Sequence, residues 1–291
     1  MTEDTIKIGV IGGSGIYEVE GISNIEERKV DTPFGEPSDN VIVGEISGIK
    51  VAFLPRHGRG HRYMPTGVNY RANIFALKKL GVEKIVSLSA VGSMKKELKP
   101  GDVVLVDQYY DHTKHRASTF YGTGMVVHIG FSEPVCASLA DTVAQAAASE
   151  GATVHRGGTY ICMEGPQFST RGESDIYRSW GVSVIGMTAM PEAKLAREAE
   201  ICYATMALVT DYDCWNTEHD AVTVDMVVKQ LFENADIAKK TIVGVVEKYA
   251  QYGIETCACN EALKNAVMTA PDKIDPKMRE ELDILIGKYI K

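Results

Sequence analysis

The sequence predicts a single α/β domain in which helices flank a central β-sheet. Short apolar runs alternate with helical stretches along almost the whole chain, which is the pattern of an α/β protein. Several of these runs are apolar throughout, as expected for strands that are covered on both faces. No repeat, low-complexity segment or proline- and serine-rich linker divides the 291 residues. Residues 1–291 are therefore predicted to form one domain, with a helical C-terminal extension from about 259 to 291.

The predicted strands are short apolar runs that end in small or polar residues. They span residues 6–11, 40–46, 50–55, 84–91, 102–106, 158–163, 183–187 and 202–209. Apolar side chains at helical spacing, or runs rich in alanine and glutamate, predict helices at 68–80, 135–150, 190–200 and about 222–249. The long segment 108–131 is predicted to be a functional or interface loop. Two short helices, broken at Pro271 and Pro276, are predicted in the tail.

The composition of the chain argues against several classes of protein. The 31 basic and 39 acidic residues leave a net charge of -8, so neither nucleic acid nor an anionic membrane is expected as a partner. No run of about 18 apolar residues is present, and residues 1–4 are acidic rather than basic. We therefore expect a cytoplasmic protein without a membrane span or a signal peptide.

The six cysteines are expected to be buried or free thiols, because they do not form paired CxxC clusters with zinc spacing. Cys257 and Cys259 form a CxC pair near the C-terminus, and a disulfide between them remains an alternative. The pair His112 and His115 has the spacing nearest to a metal-ligand pattern, but no complete ligand motif accompanies it. The sequence therefore predicts no metal site.

Donor-rich residues follow four of the predicted strands. Arg56 and His57 begin the basic segment RHGRGHR, whose guanidinium groups suit phosphate or carboxylate. Ser14 lies in the glycine turn GGSG, where backbone N–H groups can approach an anion. Alone, these segments could be a solvated basic loop and a simple tight turn. Because ligands of open α/β sheets bind at the carboxyl ends of the strands, we predict one shared anion site. Its other members would be Ser89, Ala90 and Thr188.

An acidic pair and an aromatic turn follow other strands of the same predicted sheet. Asp211 and Asp213 come directly after the strand 202–209 and could serve as an acid and its partner against a heterocycle. An ordinary acidic turn is the alternative. Phe168, in the turn that follows the strand 158–163, could stack on a base, and packing in the core is its alternative.

Long motifs in a fixed order identify a family. They are IGGSG, DTPFGEPSD, RHGRGH, MPTGVNYRAN, SAVGS, LKPGDVVLVDQ, EGPQFSTR, GMTAMPEAKLAREAEICYA and TDYDCW. From about residue 6 to about residue 250 the chain resembles the trimeric purine nucleoside phosphorylases and, within them, the methylthioadenosine phosphorylase family. The resemblance implies a three-layer nucleoside phosphorylase fold with a central mixed β-sheet. It also implies a pentosyltransferase that cleaves a purine nucleoside with inorganic phosphate as co-substrate and needs no cofactor.

The resemblance also implies a role for each site residue. Phe168 and Met187 would pack against the base and the ribose. Asp211 would protonate purine N7 or share a proton with it, Asp213 would orient the base, and His57 would complete the catalytic group. The phosphate would be held by Ser14, Arg56, His57, Ser89, the Ala90 amide and Thr188.

Two further groups of residues favour methylthioadenosine as the substrate. Ser169 and Asp211 stand where 6-oxopurine phosphorylases have Glu and Asn, and a carboxylate matches the 6-amino group of adenine. A hydrophobic 5′ pocket is expected from Val224, Val227 and Val228, with His128 donated by a neighbouring subunit of a homotrimer or homohexamer. A broader adenosine or methylthioinosine phosphorylase and a non-catalytic nucleoside-binding sensor remain alternatives. Gly186 replaces an asparagine of the family pattern, which leaves the contact made there open.

Overall fold

The structure, a computed structural model, describes residues 5–13, 21–216, 224–253 and 255–290, without the side chains of residues 224–227, 229 and 231. Within these residues the strands β1 to β11 are Ile8–Gly12, Ser23–Arg28, Val41–Ile46, Ile49–Pro55, Lys84–Ser93, Val103–Leu105, Gln108–His112, Val154–Arg156, Thr159–Met163, Val184–Gly186 and Cys202–Asp211. The helices α1 to α7 are Tyr70–Lys79, Ala137–Ser149, Arg171–Ser179, Ala189–Glu198, Val224–Tyr252, Pro276–Glu281 and Asp283–Ile286. Short 3-10 helices lie at Pro65–Gly67, Asp213–Trp215, Ala258–Glu261 and Pro271–Lys273.

The sheet is mixed and branches at its longest central strand, β5. One edge of β5 pairs in parallel with β11 along almost its full length. Its other edge pairs with two strands in succession: parallel to β1 in its first half and antiparallel to β10 at its end. The main path of the sheet runs β2-β3-β4-β1-β5-β10-β9-β7, and β6 and β8 continue from β11. As a result, the ends of β1, β4, β9 and β10 are brought to the second half of β5.

Helices cover both faces of this sheet, because each has an apolar face that the sheet buries. Ile74 and Leu77 of α1 and Leu195 of α4 belong to one core cluster. Leu139 of α2 and Ile242 of α5 belong to the other. The predicted three-layer α/β architecture is therefore confirmed. Within the described ranges, no helix is both long and apolar enough to cross a membrane.

All eight predicted strands and the four helices predicted before residue 250 occur, with small shifts at their ends. The prediction missed β2, β7, β8 and α3. The β2 sequence SNIEER is polar and almost wholly exposed, so it carries no hydrophobic signal. The polar helix α3 is instead specified by a capping box, in which Thr170 and Glu173 exchange hydrogen bonds.

Two predicted segments need correction. The predicted loop 108–131 is wrong at its start, because Gln108–His112 pairs with β9 as the last strand of the main path. Pro271 and Pro276 do not break helices. Each stands in the first turn of a helical segment, where the missing proline N–H costs no hydrogen bond.

Candidate active site

Arg56 is held rigidly at the end of β4. Its backbone N–H donates to the carbonyl of Gly12 at 2.8 Å, which joins the ends of β4 and β1. Its guanidinium, in a residue only 2% exposed, makes a fork with Glu192, Nε at 2.7 Å and Nη2 at 2.9 Å. Nη2 also donates to Ser87 Oγ at 2.7 Å, and Nη1 to the Leu88 carbonyl at 3.0 Å. Since a guanidinium has five N–H donors, these four bonds leave one Nη1 hydrogen for a ligand.

Glu192 is a positioning residue that the sequence analysis missed. Its residue exposure is 0%, and its Oε1 also accepts hydrogen bonds from Ser87 Oγ at 2.7 Å and Tyr203 OH at 2.9 Å. Burial opposes the positive charge of Arg56, but the Glu192 carboxylate outweighs it and raises the pKa of Arg56 above its ordinary value. Arg56 therefore stays charged inside the protein and is fixed in one orientation.

His57 is a neutral acceptor. Its Nδ1 lies 2.8 Å from the Tyr63 carbonyl, and a carbonyl only accepts, so Nδ1 carries the proton and Nε2 keeps its lone pair. Burial, reinforced by the charge of Arg56, lowers the pKa of His57 to about 4. The ring is stacked on His61 at a centroid distance of 4.2 Å. His57 was predicted as one of the donor-rich residues, but its free nitrogen accepts, which suits a phosphate O–H.

Ser89 and Thr188 are brought together by the antiparallel register of β10 against β5. Val184 is opposite Ser93 and Ile185 is opposite Gly92, so the continued register brings residue 188 to residue 89. The two hydroxyls lie 3.2 Å apart, and both residues are buried. The structure therefore brings this predicted pair into contact, two strands away from β4, which Arg56 follows.

Tyr160 on β9 completes this group and was not predicted. Its hydroxyl lies 3.0 Å from Ser89 Oγ and 3.5 Å from the Thr188 backbone N–H. A Cβ atom at Gly186 would fall 2.0 Å from the Tyr160 hydroxyl oxygen and 2.6 Å from Cζ. The glycine at residue 186, where the family pattern has an asparagine, thus leaves the space that the Tyr160 hydroxyl occupies.

We expect Gly186→Ala to weaken phosphate binding, because the new methyl group must displace the Tyr160 ring and, with it, the Ser89–Thr188 pair. Overpacking of this kind costs about 1–3 kcal/mol, which corresponds to roughly a 5- to 150-fold rise in the KM for phosphate if the loss falls on the site. Steady-state kinetics with phosphate as the varied substrate measure this rise.

Gly172→Ala on α3 is the matched control, since a Cβ atom there meets nothing within 4 Å. An unchanged KM for phosphate in Gly186→Ala would show that Tyr160 does not support the anion site. The double variant with Tyr160→Phe removes the closest clashing atom and should recover part of the loss.

The remaining predicted phosphate ligands have different outcomes. Ala90 is half-buried beside Ser89 on β5. Ser14 lies outside the described residues. The turn that precedes it is in place, since the Gly12 carbonyl accepts from the Arg56 backbone. Phosphate binding by all of these residues remains a prediction.

Asp211 ends β11 and faces the end of β5. It is paired with Gly92, where a Cβ atom would lie 2.9 Å from Asp211 Oδ1. Glycine is therefore required at residue 92 for the carboxylate to lie there. The Asp211 carboxylate accepts from the Asp213 backbone N–H at 2.7 Å and from Thr210 Oγ1 at 2.7 Å, which fixes its orientation.

Asp213 is held in a strained backbone conformation, with φ at 50°. Ser174 Oγ donates to its Oδ2 at 2.5 Å. Burial, together with the charge of Asp211, raises the pKa of Asp213 above its ordinary value, although the Ser174 hydrogen bond works against this shift. The raised pKa makes Asp213 an additional place for the proton that the sequence analysis assigned to Asp211.

The residues predicted to contact the base lie next to this acidic turn. Phe168 is 48% exposed, so core packing, the alternative considered from the sequence, is wrong. The carbonyl of Ser169 accepts from Cys214 Sγ at 3.4 Å, which connects the aromatic turn to the acidic turn. Met187 is half-buried and packs over Gly165, where φ is 68° and a Cβ atom would fall 2.6 Å from Met187 Sδ.

Arg116 is a second positioning residue that the sequence analysis missed. Its side chain is 1% exposed. Nη1 donates to the carbonyls of Met187 at 2.7 Å and Met190 at 2.6 Å, and Nη2 donates to the Glu164 carbonyl at 2.8 Å. One guanidinium thus joins the start of the aromatic turn to the segment that carries Thr188. In the sequence, its only signal is an isolated arginine within a polar and aromatic loop.

The predicted 5′ pocket is only partly described. Val228 lies on α5 and is 42% exposed, while the side chains of Val224 and Val227 lie outside the described residues. His128 is exposed, and its backbone N–H donates to the Ala266 carbonyl at 2.9 Å. An exposed side chain on an anchored backbone is what a contribution to a neighbouring subunit requires.

This arrangement defines an α/β protein with buried hydrogen-bond donors and an acid pair at the ends of neighbouring strands. The chain belongs to the phosphorylase superfamily, whose family model matches residues 7–249. It is 55% identical over 284 residues to the S-methyl-5′-thioadenosine phosphorylase of Geobacter sulfurreducens, covering 97% of this chain and 99% of that one. The corresponding protein of Koribacter versatilis is 54% identical over 283 residues, with 97% and 96% covered.

Solved structures agree with these relatives. A methylthioadenosine phosphorylase from an antarctic soil metagenomic library has a TM-score of 0.92 and 46% identity, with 97% of this chain and 99% of that chain covered. A mutant of the adenosine/methylthioadenosine phosphorylase from Schistosoma mansoni, in complex with methylthioadenosine, has a TM-score of 0.82 and 36% identity, with 89% and 96% covered. The resemblance inferred from the sequence motifs is therefore confirmed.

Proposed function

We propose that this protein catalyses the phosphorolysis of S-methyl-5′-thioadenosine to adenine and 5-methylthioribose 1-phosphate. One observation carries the proposal: the buried hydroxyl pair and the acid turn of Asp211 and Asp213 both lie next to the same strand, β5. Ser89 lies near Thr188, and Gly92, three residues further along, faces Asp211. Three residues of strand span about 10 Å, so the hydroxyl pair and the acid turn can contact the two ends of one phosphate and nucleoside pair.

The chemistry follows from this separation. As the C1′–N9 bond breaks, its electrons move to the purine, and a phosphate oxygen forms the new bond to the cationic C1′. The phosphate anion stabilises the oxocarbenium-like transition state because it is held next to the developing charge. The single Nη1 hydrogen that Arg56 keeps free, and the Ser89 and Thr188 hydroxyls, would donate to it.

Proton balance requires that adenine gain one proton and that phosphate lose one. The acid turn would supply a proton to purine N7, with Asp211 in contact and Asp213 able to hold the proton because its pKa is raised. The neutral His57, with Nε2 free, would accept the hydrogen bond of the phosphate O–H and orient that oxygen. No cofactor enters the reaction, and inorganic phosphate is the co-substrate.

Selectivity for an adenine nucleoside is supported by the orientation of Asp211. Its carboxylate is fixed by donors from its own turn, and a carboxylate accepts from a 6-amino group but meets a 6-oxo group as a second acceptor. The names of the similar proteins, and the methylthioadenosine bound to one of them, point to the same substrate.

An exposed apolar surface supports the predicted homo-oligomer. This surface, formed by Tyr110 of β7 with Ile176 and Trp180, borders the strand that ends the main path of the sheet. The rings of Tyr110 and Trp180 meet edge to face at 5.5 Å. A contiguous apolar surface beside a strand edge is typical of a subunit interface. A trimer or hexamer and a cytoplasmic location remain predictions, and sedimentation velocity measures the former.

The experiment that tests the function is a substrate panel with and without phosphate. We expect kcat/KM to be highest for methylthioadenosine, lower for adenosine, and lower by at least about 10-fold for methylthioinosine and inosine, given the acceptor mismatch at Asp211. Comparable values for adenosine would favour the broader adenosine phosphorylase, and a preference for inosine would overturn the proposal. Absence of phosphate-dependent adenine release would favour the nucleoside-binding sensor.

A further inference from the structure

Four of the six cysteines meet in one cluster, which we call the cysteine cluster: Cys136, Cys202, Cys257 and Cys259. Their sulfur atoms all lie within 4.8 Å of one another, and three of the four residues are buried. No spacing of cysteines along the chain predicts the cluster, because its members come from three separate segments. The sequence analysis predicted no metal site for that reason.

Hydrogen bonds of the backbone N–H groups hold three of the four cysteines in place independently of one another. Cys136 caps the N-terminus of α2, and its N–H donates to the Tyr203 carbonyl at 2.9 Å. Cys202 begins β11 and donates to the Glu83 carbonyl at 2.9 Å. The Cys257 N–H donates to the side chain of Asn260, at 3.1 Å, in the 3-10 turn Ala258–Glu261. A cluster formed by three anchored backbones is preorganised for a ligand.

The sulfur geometry suits a tetrahedral metal ion. In a tetrathiolate site with Zn–S bonds of about 2.3 Å, neighbouring sulfur atoms are about 3.8 Å apart. Cys136 Sγ and Cys257 Sγ are 3.8 Å apart, and Cys202 Sγ and Cys257 Sγ are 2.9 Å apart. Cys257 therefore has two sulfur neighbours rather than one exclusive partner. Cys202 and Cys257 would move apart to reach the sulfur separation of a tetrathiolate site.

Lys84 provides the charge that such a site needs. It is 2% exposed, and its Nζ lies 3.7 Å from Cys202 Sγ and 2.9 Å from the Glu255 carbonyl. Four thiolates around a divalent ion carry a net charge of −2, and a buried ammonium beside them offsets part of it. Neutral thiols or disulfides would leave the buried ammonium of Lys84 without an anionic partner at the cluster.

We propose that the cysteine cluster binds one Zn²⁺ as a closed structural site. Binding exchanges the waters of the hydrated ion for four thiolates, and four protons are released to solvent. The site would fasten the C-terminal segment 255–290 to the start of β11. Asp211 ends the same ten-residue strand, about 30 Å away, so the ion would act on stability and not on the phosphorolysis chemistry.

The test measures metal in the full-length protein, purified without chelator from zinc-supplemented cells. We expect close to one Zn²⁺ per chain by elemental analysis, and tetrahedral thiolate absorption when Co²⁺ replaces it. Cys257→Ser and Cys202→Ser should lower the zinc content at least about tenfold. Cys162→Ser is the matched control, because Cys162 is a buried cysteine outside the cluster.

Two further measurements distinguish the proposal from other outcomes, and neither depends on activity. Lys84→Met keeps all four sulfurs and should weaken zinc affinity by about 10-fold or more in competition with a chromophoric chelator. In the unaltered protein, a mercurial reagent that reacts with the thiols should release one zinc ion for every four cluster sulfurs that react. If the protein is alkylated before it is reduced and two disulfides are then found, the proposal is overturned. Loss of zinc from the Cys162→Ser protein to the same extent as from the cluster variants would also overturn it.

Discussion

Asp211→Asn is expected to lower kcat/KM for methylthioadenosine by about 10²- to 10⁴-fold, the usual contribution of a positioned acid or base. The asparagine amide keeps the size of the side chain, but it cannot hold or share the proton that the leaving purine needs. It also presents an N–H donor, so the relative use of 6-oxopurine nucleosides should rise. Steady-state kinetics with methylthioadenosine and methylthioinosine measure both effects.

Two further variants test whether this loss is specific to Asp211. Asp141→Asn removes an exposed carboxylate on α2 and should leave kcat/KM unchanged. Asp213→Asn tests whether the acid whose pKa is raised shares the proton, and a loss as large as that of Asp211→Asn would show that the two acids act as one unit. Unchanged base selectivity in Asp211→Asn would mean that this carboxylate does not face the purine.

Glu192→Gln is expected to destabilise the protein by about 3–5 kcal/mol, because it leaves the buried Arg56 charge without its counter-ion. Gln preserves the size of the side chain and one acceptor, so the loss reports on charge rather than on packing. The midpoint of urea denaturation, followed by circular dichroism, measures the change in the free energy of unfolding.

The control for this variant is Glu261→Gln, which breaks an exposed pair with Lys264 and should cost less than about 1 kcal/mol. A double variant, Arg56→Met with Glu192→Met, should regain much of the stability, since apolar groups replace the pair, while phosphorolysis stays lost. Wild-type stability of Glu192→Gln would mean that Arg56 does not depend on this carboxylate.

The sequence predicted the central strands well because both of their faces are buried, and each of them therefore contains a run of apolar residues. The edge strands β2 and β7 have one open side and polar or aromatic sequences, and no periodicity announced them. Strand pairing is a long-range property. For this reason Ser89 and Thr188 could be expected at one edge of the sheet, but their contact depended on the register of β10 against β5.

The residues that position the site could not be predicted either, because their contacts are also long-range. Glu192 acts on Arg56 from 136 residues away, and Arg116 acts on Met187 from 71 residues away. Tyr160 reaches the Ser89 and Thr188 pair through the space that Gly186 leaves open. Each of these side chains has an ordinary local sequence, and its role arises from partners that only folding brings near.

The sequence by itself determined which residue types stand at the strand ends: Arg56, Ser89, Thr188 and the acids after β11. These positions are set by local polarity beside buried strands. Only the tertiary structure decided what those groups can still do. It uses four of the five N–H donors of Arg56 and makes His57 an acceptor, because hydrogen-bonding capacity depends on partners distant in the chain. It also gathers four separated cysteines into one cluster, which no spacing in the sequence encodes.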